Sequence, residues 1–476
     1  MILENIKVDR AGGRGVAVGK SADGKTVLVR GAAPGDVVDV RVLKRKKNFY
    51  EGRVDRVVEA SPLRVAPSCA HTESCGGCPW QHLGYPSQAE FKGHEVEEQL
   101  VRVGGVSRDR AEWRPFVPAP TPFRYRNKTE FSFTSNRWRT RGELDANPEA
   151  ETEPGLGFHV PGFWDKILDV QDCHLIPAYG NEIRNALRDE ALALGLSFWH
   201  PRAKVGALRT AMLRSNQAGD WMLIIQWGEH PGPDGFTLMH RMTERFDRLV
   251  SMYWGLNEKV NDSMYDVDLH LFHGVEALEE TMDSAIDGGR ALRFLISPKS
   301  FYQTNPVQAH RLYAEALSAA DLQGGETVYD LYTGTGTIAL FMAQVAAKVV
   351  GVESVPEAVA AAVRNAERNG ITNTAFEVGD MRRLFTPEFV ARHGAPDVVV
   401  VDPPREGMHP AVVAELARIK APKLVYVSCN PSTQARDVSM LAEAYEVERV
   451  QGVDMFPQTF HVESVVLLRA KTAGTR

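Results

Sequence analysis

One thiol in the sequence is placed where chemistry could occur. Cys429 follows an apolar run, residues 424–427, that has the length and β-branched content of a buried strand. Pro431 prevents a regular continuation, so the thiol is expected at the carboxyl end of that strand, the edge where open α/β sheets bind ligands. A cysteine there is either a small buried hydrophobic residue or a nucleophile, and its position alone does not separate the two.

The other four of the five cysteines form a separate set. Three of them are spaced C-x5-C-x2-C and the fourth lies far downstream; they are Cys69, Cys75, Cys78 and Cys173. This pattern predicts a closed site of four thiolates. Structural zinc and an iron–sulfur cluster both fit such a site, and the spacing does not choose between them. Unrelated buried thiols are the remaining alternative.

Acidic residues follow three further predicted strands of the C-terminal region. A strand runs into the glycine turn Gly334-Thr335-Gly336, and the next strand ends in Glu353, 19 residues after Gly334. That is near the distance at which an acidic side chain binds ribose hydroxyls in nucleotide-binding folds. Asp380 and Asp402 follow the next two predicted strands. The carboxyl edge of one doubly wound sheet is therefore expected to carry these acids together with the strand-end thiol.

Length and composition indicate a multidomain globular protein. The chain has 476 residues, 43% of them hydrophobic and 24% charged, which is too long for a single core. We predict a small β-barrel over residues 1–60, an α+β region over 61–298 and an α/β domain over 299–476. No run of 18 apolar residues and no secretory signal is found, so we expect no membrane span and a cytoplasmic location. A monomer is expected.

Basic charge is concentrated at the amino end. Residues 1–56 contain 13 Lys and Arg against 7 Asp and Glu, although the whole chain has a net charge of −6. Alternating apolar and charged residues predict an antiparallel barrel with one exposed face. The basic run 44–47 is followed by Phe49 and Tyr50, and cations beside aromatic rings suit a nucleic-acid surface. A solvated basic hairpin is the alternative.

A second basic strip is predicted in the central region. Arg124, Arg126 and Lys128 alternate along a predicted strand and should share one face. Further arginines occur between residues 137 and 141. The strip would face a nucleic acid or, alternatively, form structural ion pairs.

Taken together, these motifs resemble a known family. The segments FYQTN, DLYTGTG, DPPR, SCNP and HVESV, with CAHTESCGGC and Cys173, resemble the RNA uracil-C5 methyltransferases over essentially the whole chain. Within them the chain is similar to bacterial 23S ribosomal RNA (uracil-5-)-methyltransferases, which carry an amino-terminal TRAM barrel and a [4Fe-4S] cluster. Many relatives have cysteine where this chain has Thr333.

The resemblance implies a Rossmann-like class I methyltransferase domain, a TRAM barrel that binds RNA, and a central α+β iron–sulfur domain. It implies S-adenosylmethionine as methyl donor, held by Gln303, Tyr332, Glu353, Asp380 and Asp402. It also implies that Cys69, Cys75, Cys78 and Cys173 hold a [4Fe-4S] cluster. The expected partner is RNA, most of all 23S ribosomal RNA.

The chemistry of uracil gives Cys429 and Glu463 their expected roles. C5 of uracil is a weak nucleophile, so a thiolate must first add to C6, and Cys429 is the expected nucleophile. A base must then remove the C5 proton, and Glu463 matches the base of the family. Asp402 and Arg405 are expected beside the uracil. The base must leave its stack to reach the thiol.

Other activities are alternatives with distinct signatures. Some cluster-bearing relatives act on transfer RNA. A cytosine-C5 enzyme for RNA typically has a second cysteine where this chain has Pro404, and an adenine-N6 enzyme needs an aromatic residue where it has Arg405. A noncatalytic RNA-binding or assembly protein would tolerate loss of Cys429 and Glu463.

Overall fold

The computed structural model describes residues 1–286, 288–384 and 386–472, and it begins with a closed five-stranded barrel. Its strands are β1 (Ile2–Ala11), β2 (Val16–Lys20), β3 (Thr26–Arg30), β4 (Val37–Arg45) and β5 (Phe49–Glu59), in the order β1-β2-β3-β5-β4. Alternate side chains such as Val27, Val29, Val38 and Val40 fill its interior. One pairing differs from the predicted antiparallel arrangement. Strand β4 pairs with β1, and β5 lies between β4 and β3 and runs parallel to β3.

The central region forms a seven-stranded sheet in the order β13-β12-β11-β10-β7-β8-β9, and a two-stranded sheet of β14 and β15. Its elements are α1 (Tyr85–Arg102), β6 (Glu112–Trp113), β7 (Lys128–Thr134), α2 (Arg141–Ala146), β8 (Gly155–His159), β9 (Ile167–Asp169), α3 (Ala178–Ala193), β10 (Leu208–Ser215), β11 (Trp221–Trp227), α4 (Gly232–Arg245), β12 (Leu249–Leu256), β13 (Leu269–Gly274), β14 (Leu278–Met282) and β15 (Leu292–Ile296). The sheet is mostly antiparallel, with β11 and β12 parallel.

The C-terminal region is a doubly wound α/β domain, which confirms the predicted fold class. Its elements are α5 (Pro306–Ala320), β16 (Thr327–Leu331), α6 (Thr337–Ala343), β17 (Lys348–Glu353), α7 (Pro356–Arg368), β18 (Thr374–Val378), α8 (Met381–Leu384), α9 (Pro387–His393), β19 (Val398–Val401), α10 (Pro410–Ile419), β20 (Lys423–Ser428), α11 (Pro431–Leu441), β21 (Tyr445–Val453) and β22 (Glu463–Ala470). Five parallel strands are followed by an antiparallel pair, in the order β18-β17-β16-β19-β20-β22-β21. The fully buried run of valines in β19 is typical of a central parallel strand.

The central region also contributes to this last sheet. Strand β6 pairs with β21 at the sheet edge, and α1 packs against α11. The division of the chain at residues 60 and 298 therefore remains a prediction from the sequence. Among the described helices, none combines the length and apolar character that crossing a lipid bilayer requires.

The predicted basic strip of the central region is wrong in part. Strand β7 begins only at Lys128, and Arg124 lies before it with a left-handed φ of 59°. The Arg124 guanidinium donates to Asp172 and to the carbonyls of Cys173 and Ile176. Local hydrogen bonds thus account for Arg124, as the structural alternative predicted.

Candidate active site

The parallel strands bring the predicted acids and the thiol to one edge of the sheet. The strand order reverses between β16 and β19, and in open α/β folds ligands bind at that crevice beyond the carboxyl ends of the strands. Asp402 follows β19, Cys429 follows β20, and Glu463 opens the antiparallel neighbour β22. Residues that are far apart in the sequence therefore meet at the crevice.

Cys429 is half-buried and lies within the electrostatic reach of two carboxyl groups. Burial, then Glu463 and Asp402, raise the pKa of the thiol to about 12, while the nearby Arg405 opposes the rise. The thiol is consequently protonated at neutral pH. A nucleophilic role therefore requires an acceptor for its proton when the substrate enters.

The two carboxyl groups beside the thiol are themselves poised to carry protons. Burial, reinforced by Asp402, raises the pKa of Glu463 well above its usual range. Burial and the charge of Asp330 raise the pKa of Asp402 to about 7. Asp402 can therefore exchange a proton near neutral pH, and the raised pKa of Glu463 makes its carboxylate a stronger base.

The loop after β19 is tied to the loop that carries the thiol. The Arg405 carbonyl accepts hydrogen bonds from the Asn430 amide (2.9 Å) and from the Thr433 hydroxyl (3.2 Å). The Arg405 side chain is exposed and lies electrostatically close to both Cys429 and Glu463.

The glycine turn after β16 is open to a ligand. Tyr332 and Gly334 have φ angles of 65° and 55°, and a Cβ added at Gly334 would meet no atom within 4 Å. One oxygen of Glu353 accepts from the Gly334 N–H (3.2 Å), and the other accepts from the backbone N–H groups of Ser354 and Val355. The turn and this carboxylate form a cradle that fits a ribose or nucleoside.

The two remaining predicted ligands are Asp380, which lies near Tyr332, and Gln303, which lies near Tyr313. Asp380 is held by Arg382, whose hydrogen bonds lower the pKa of Asp380 to about 2. Gln303 lies just before α5 and hydrogen-bonds the phenol of Tyr313. The neighbouring Phe301 is 69% exposed, so this segment also presents an uncovered ring.

Two site residues have no role in the sequence-based assignment. The Asp330 carboxyl is 1% exposed and accepts from the Thr333 hydroxyl, and burial raises its pKa to about 7. Tyr313 is buried near Asp402, Glu463 and Asp330, so its pKa is raised. Asp330 could have been found from its position at a strand end, whereas a tyrosine within the apolar helix α5 carries no such signal.

The segment that precedes Glu463, residues 454–461, is held by helix α1. Lys92 donates to Asp454 (2.6 Å) in a fully buried ion pair and to the Phe456 carbonyl (3.0 Å). Gln88 and Gln458 exchange side-chain and backbone hydrogen bonds. These contacts keep Gln458, a non-glycine residue, at a left-handed φ of 69°.

The cysteine loop and the barrel hold the same segment. The Trp80 N–H, two residues after Cys78, donates to the Gln458 carbonyl (3.1 Å). A Cβ at Gly15 of the barrel would lie 2.5 Å from the Phe460 ring, so that glycine permits a close approach. All three regions of the chain therefore position the residues that lead into Glu463.

The four predicted metal ligands come together from two distant segments. Burial first, then the other thiols of the set, raise the pKa values of Cys75 and Cys78 to about 11 and about 12. The Cys69 thiol lies 3.9 Å from the Asp172 carbonyl, next to Cys173. Within the described ranges, no group of three or more Cys, His, Asp or Glu side chains is arranged closely enough to hold a metal ion as it stands.

The surroundings of these thiols nevertheless suit an inorganic group. The buried Gln81 side chain contacts two members of the set: its oxygen accepts from the Cys69 N–H (2.7 Å), and its amide hydrogen-bonds Cys78. Backbone N–H groups face the sulfur atoms of Cys75 and Cys173. N–H groups directed at sulfur are the usual second shell of thiolate-bound clusters.

The basic run of the barrel is exposed as predicted, but only one of the two aromatic rings that follow it is accessible. Residues 44–47 are exposed, and Lys44 pairs with Glu51 at 3.6 Å. Tyr50, however, is 4% exposed and hydrogen-bonds Asp23, so it belongs to the barrel core. Of the two predicted rings, Phe49 alone is partly accessible.

Comparison with known proteins identifies relatives over nearly the whole chain. A family model described as tRNA (Uracil-5-)-methyltransferase matches residues 273–471, and the TRAM domain model matches residues 4–54. Proteins named uncharacterized RNA methyltransferase are 42% identical in Porphyromonas gingivalis, covering 94% of this chain and 96% of that one, and 41% identical in Bacteroides thetaiotaomicron, covering 96% and 99%.

One solved structure is similar over the same extent. It is the crystal structure of the Pyrococcus abyssi tRNA (uracil-54, C5)-methyltransferase in complex with S-adenosyl-L-homocysteine. Its TM-score is 0.74 at 32% sequence identity, and the match covers 97% of this chain and 99% of that one.

Proposed function

The chain belongs to the family of S-adenosylmethionine-dependent RNA uracil-C5 methyltransferases with an N-terminal TRAM domain, and from that premise we propose that it methylates C5 of a specific uridine in 23S ribosomal RNA, acting as a monomer. The observation that carries the proposal is the meeting of the Cys429 thiol with Asp402 and Glu463 beside the open glycine turn. Since the family is one of enzymes, the noncatalytic alternative is set aside.

The proposed mechanism begins at Cys429. Its thiol loses a proton to a neighbouring carboxylate, and the thiolate adds to C6 of the uracil, which moves the electron pair of the C5–C6 bond toward C5 and O4. S-adenosylmethionine, when bound, supplies the electrophilic methyl group, which C5 takes as the methyl–sulfur bond breaks and S-adenosylhomocysteine leaves. C5 then carries a hydrogen and a methyl group. Glu463 takes the hydrogen as a proton, the C6–S bond breaks, and 5-methyluridine and the Cys429 thiolate are released.

The methyl donor is proposed to lie in the cradle beside the glycine turn. Glu353 would bind the ribose hydroxyls, with Tyr332 and Asp380 on the adenosine side. Gln303 and Asp402 would hold the opposite end near the thiol. The support is chemical: these side chains surround an open backbone turn at the switch point of the sheet.

A [4Fe-4S] cluster is proposed at Cys69, Cys75, Cys78 and Cys173. Four thiolates, with N–H groups directed at sulfur and the Gln81 amide beside Cys78, suit such a cluster. With all four thiolates bound, its role would be to hold the cysteine loop in shape. That loop supports the segment before Glu463 through the bond from Trp80 to Gln458.

The cluster can be tested without measuring activity. Protein prepared without oxygen is expected to contain iron and acid-labile sulfide, and the Cys75→Ser variant should lose most of both because one thiolate ligand is missing. The Cys429→Ser variant is the matched control and should keep the full iron content. Stoichiometric zinc in place of iron, or equal iron in all three proteins, would contradict the assignment.

Transfer RNA is the second candidate substrate. It is favoured by one observation, the 32% identity to an archaeal tRNA (uracil-54, C5)-methyltransferase along nearly the whole chain. The barrel and the four-cysteine site favour 23S ribosomal RNA through the resemblance of the sequence.

Mass spectrometric mapping of 5-methyluridine separates the two. In cells that lack this protein, we expect 5-methyluridine to disappear from one position of 23S ribosomal RNA and to remain in transfer RNA. Restoring the wild-type chain should restore the modification. Loss confined to transfer RNA would establish the second candidate, and unchanged 5-methyluridine in both RNAs would overturn the proposed function.

A further inference from the structure

The hairpin between β8 and β9 carries an uncovered aromatic tip. Trp164 is 67% exposed and Phe163 is 49% exposed, whereas most large apolar side chains are covered. Phe163 lies against Trp138 with ring centroids 5.4 Å apart, whereas Trp164 is the more exposed of the two rings at the tip. Aromatic side chains are enriched at binding surfaces, and two neighbouring exposed rings at one tip are consistent with such a surface.

A polar cavity adjoins this tip. It has a volume of about 290 Å³, and its lining includes Lys166, His200, Arg202 and Asn136. Asp165 lies beneath these groups, is 8% exposed and pairs with Arg202 and Lys166. The guanidinium of Arg202 nevertheless remains largely exposed. The cavity lining thus carries positive charge, and its Lys166 lies two residues after Trp164.

The tip is anchored to the cysteine loop. Pro161 contacts Gly76, where an added Cβ would lie 2.5 Å from the proline ring. Val160 packs in one small core with Cys75 and Cys173. The Val160 N–H also donates to the Lys166 carbonyl (2.9 Å), which closes the turn. The aromatic tip is therefore joined to the loop that supports the segment before Glu463.

We propose that Trp164, with Lys166 and Arg202, forms a second RNA-binding surface on the central region, where an unpaired base stacks on the indole and its phosphate enters the cavity. This rests on the proposed function, which supplies the RNA. A flat ring for the base and adjacent cations for the phosphate are the two parts of a single-strand site. We assign to this surface the second RNA contact that was predicted from the sequence around Arg124.

Binding of unmodified transcripts of 23S ribosomal RNA and transfer RNA, measured without methyl donor, tests the proposal. The Trp164→Ala variant should weaken the binding of the substrate transcript by between about fivefold and about 150-fold, the range for loss of one base stack. The Trp164→Phe variant, which keeps a flat ring, should retain most of the affinity. Lys166→Gln should reduce the slope of log affinity against log salt concentration by about one, the value for loss of one phosphate contact.

The matched control is Tyr265→Ala, which removes another aromatic ring, 64% exposed, from the same region and should leave binding unchanged. Ultraviolet cross-linking should join RNA to the peptide that contains Trp164. Wild-type affinity in Trp164→Ala would overturn the proposal, as would a change only in the self-association seen by sedimentation. Methylation of RNA by the wild-type chain tests the proposed function independently. The wild-type chain can methylate RNA even if Trp164→Ala shows that this residue does not bind it.

Discussion

The Cys429→Ser variant is expected to lose methyl transfer to RNA by at least about a thousandfold, because a serine hydroxyl cannot add to C6 of uracil as a thiolate does. The thiol is half-buried, and the substitution only replaces its sulfur with the smaller oxygen atom, so the fold should be retained. Transfer of labelled methyl groups from S-adenosylmethionine to a substrate transcript measures the loss. The residual rate reports how much the remaining groups achieve without the nucleophile.

Binding of S-adenosylhomocysteine provides the control for this variant. Calorimetry should give the same affinity for wild type and Cys429→Ser within about twofold, since Cys429 is not among the side chains proposed to bind the methyl donor. A variant that binds this ligand but does not methylate has lost a chemical step. Methylation at the wild-type rate would instead require another nucleophile and would remove Cys429 from the mechanism.

The strand ends were predictable because their signals are local. Apolar runs followed by Asp402, Glu353 or Cys429 indicate buried parallel strands with polar ends, and the doubly wound topology necessarily brings those ends together. The set of four cysteines could likewise be recognised from the spacing of its members in the sequence. In each case a few neighbouring residues carry both the element and its chemistry.

The support of the Glu463 segment could not be predicted in this way. Lys92 and Asp454 are 362 residues apart. In the sequence, neither residue can be told from an ordinary charged residue on the surface. Their pairing depends on how α1 docks against the C-terminal sheet. A buried ion pair of this kind contributes a fixed geometry more than net stability, because desolvation offsets much of the attraction.

Arg124 illustrates the opposite failure. Its alternation with Arg126 and Lys128 predicted a charged strand face, yet local hydrogen bonds hold Arg124 in a left-handed conformation before the strand begins. Periodicity describes a strand only where the backbone is extended. Trp164, whose role we propose above, could not be singled out because a tryptophan between Phe163 and Asp165 gives no sign in the sequence of its exposure.

The Glu463→Gln variant is expected to accumulate a covalent adduct between protein and RNA. An amide of nearly the same shape cannot accept the C5 proton, so the methylated ring stays attached to Cys429. After incubation with substrate transcript and S-adenosylmethionine, a denaturing gel should show a species of retarded mobility that ribonuclease removes. The Cys429→Ser/Glu463→Gln double variant should give none, because the bond that defines the adduct cannot form.

The shifted pKa of Glu463 fixes the pH dependence of adduct breakdown. Since burial raises that pKa, the carboxyl is protonated at lower pH and cannot accept the C5 proton; breakdown in the wild type should therefore speed up as pH rises through the raised pKa. Glu463→Gln should show no such increase. Asp402→Asn is the matched control, because Asp402 is assigned to binding and its pKa is also raised, to about 7. Adduct accumulation in Asp402→Asn but not in Glu463→Gln would make Asp402 the base.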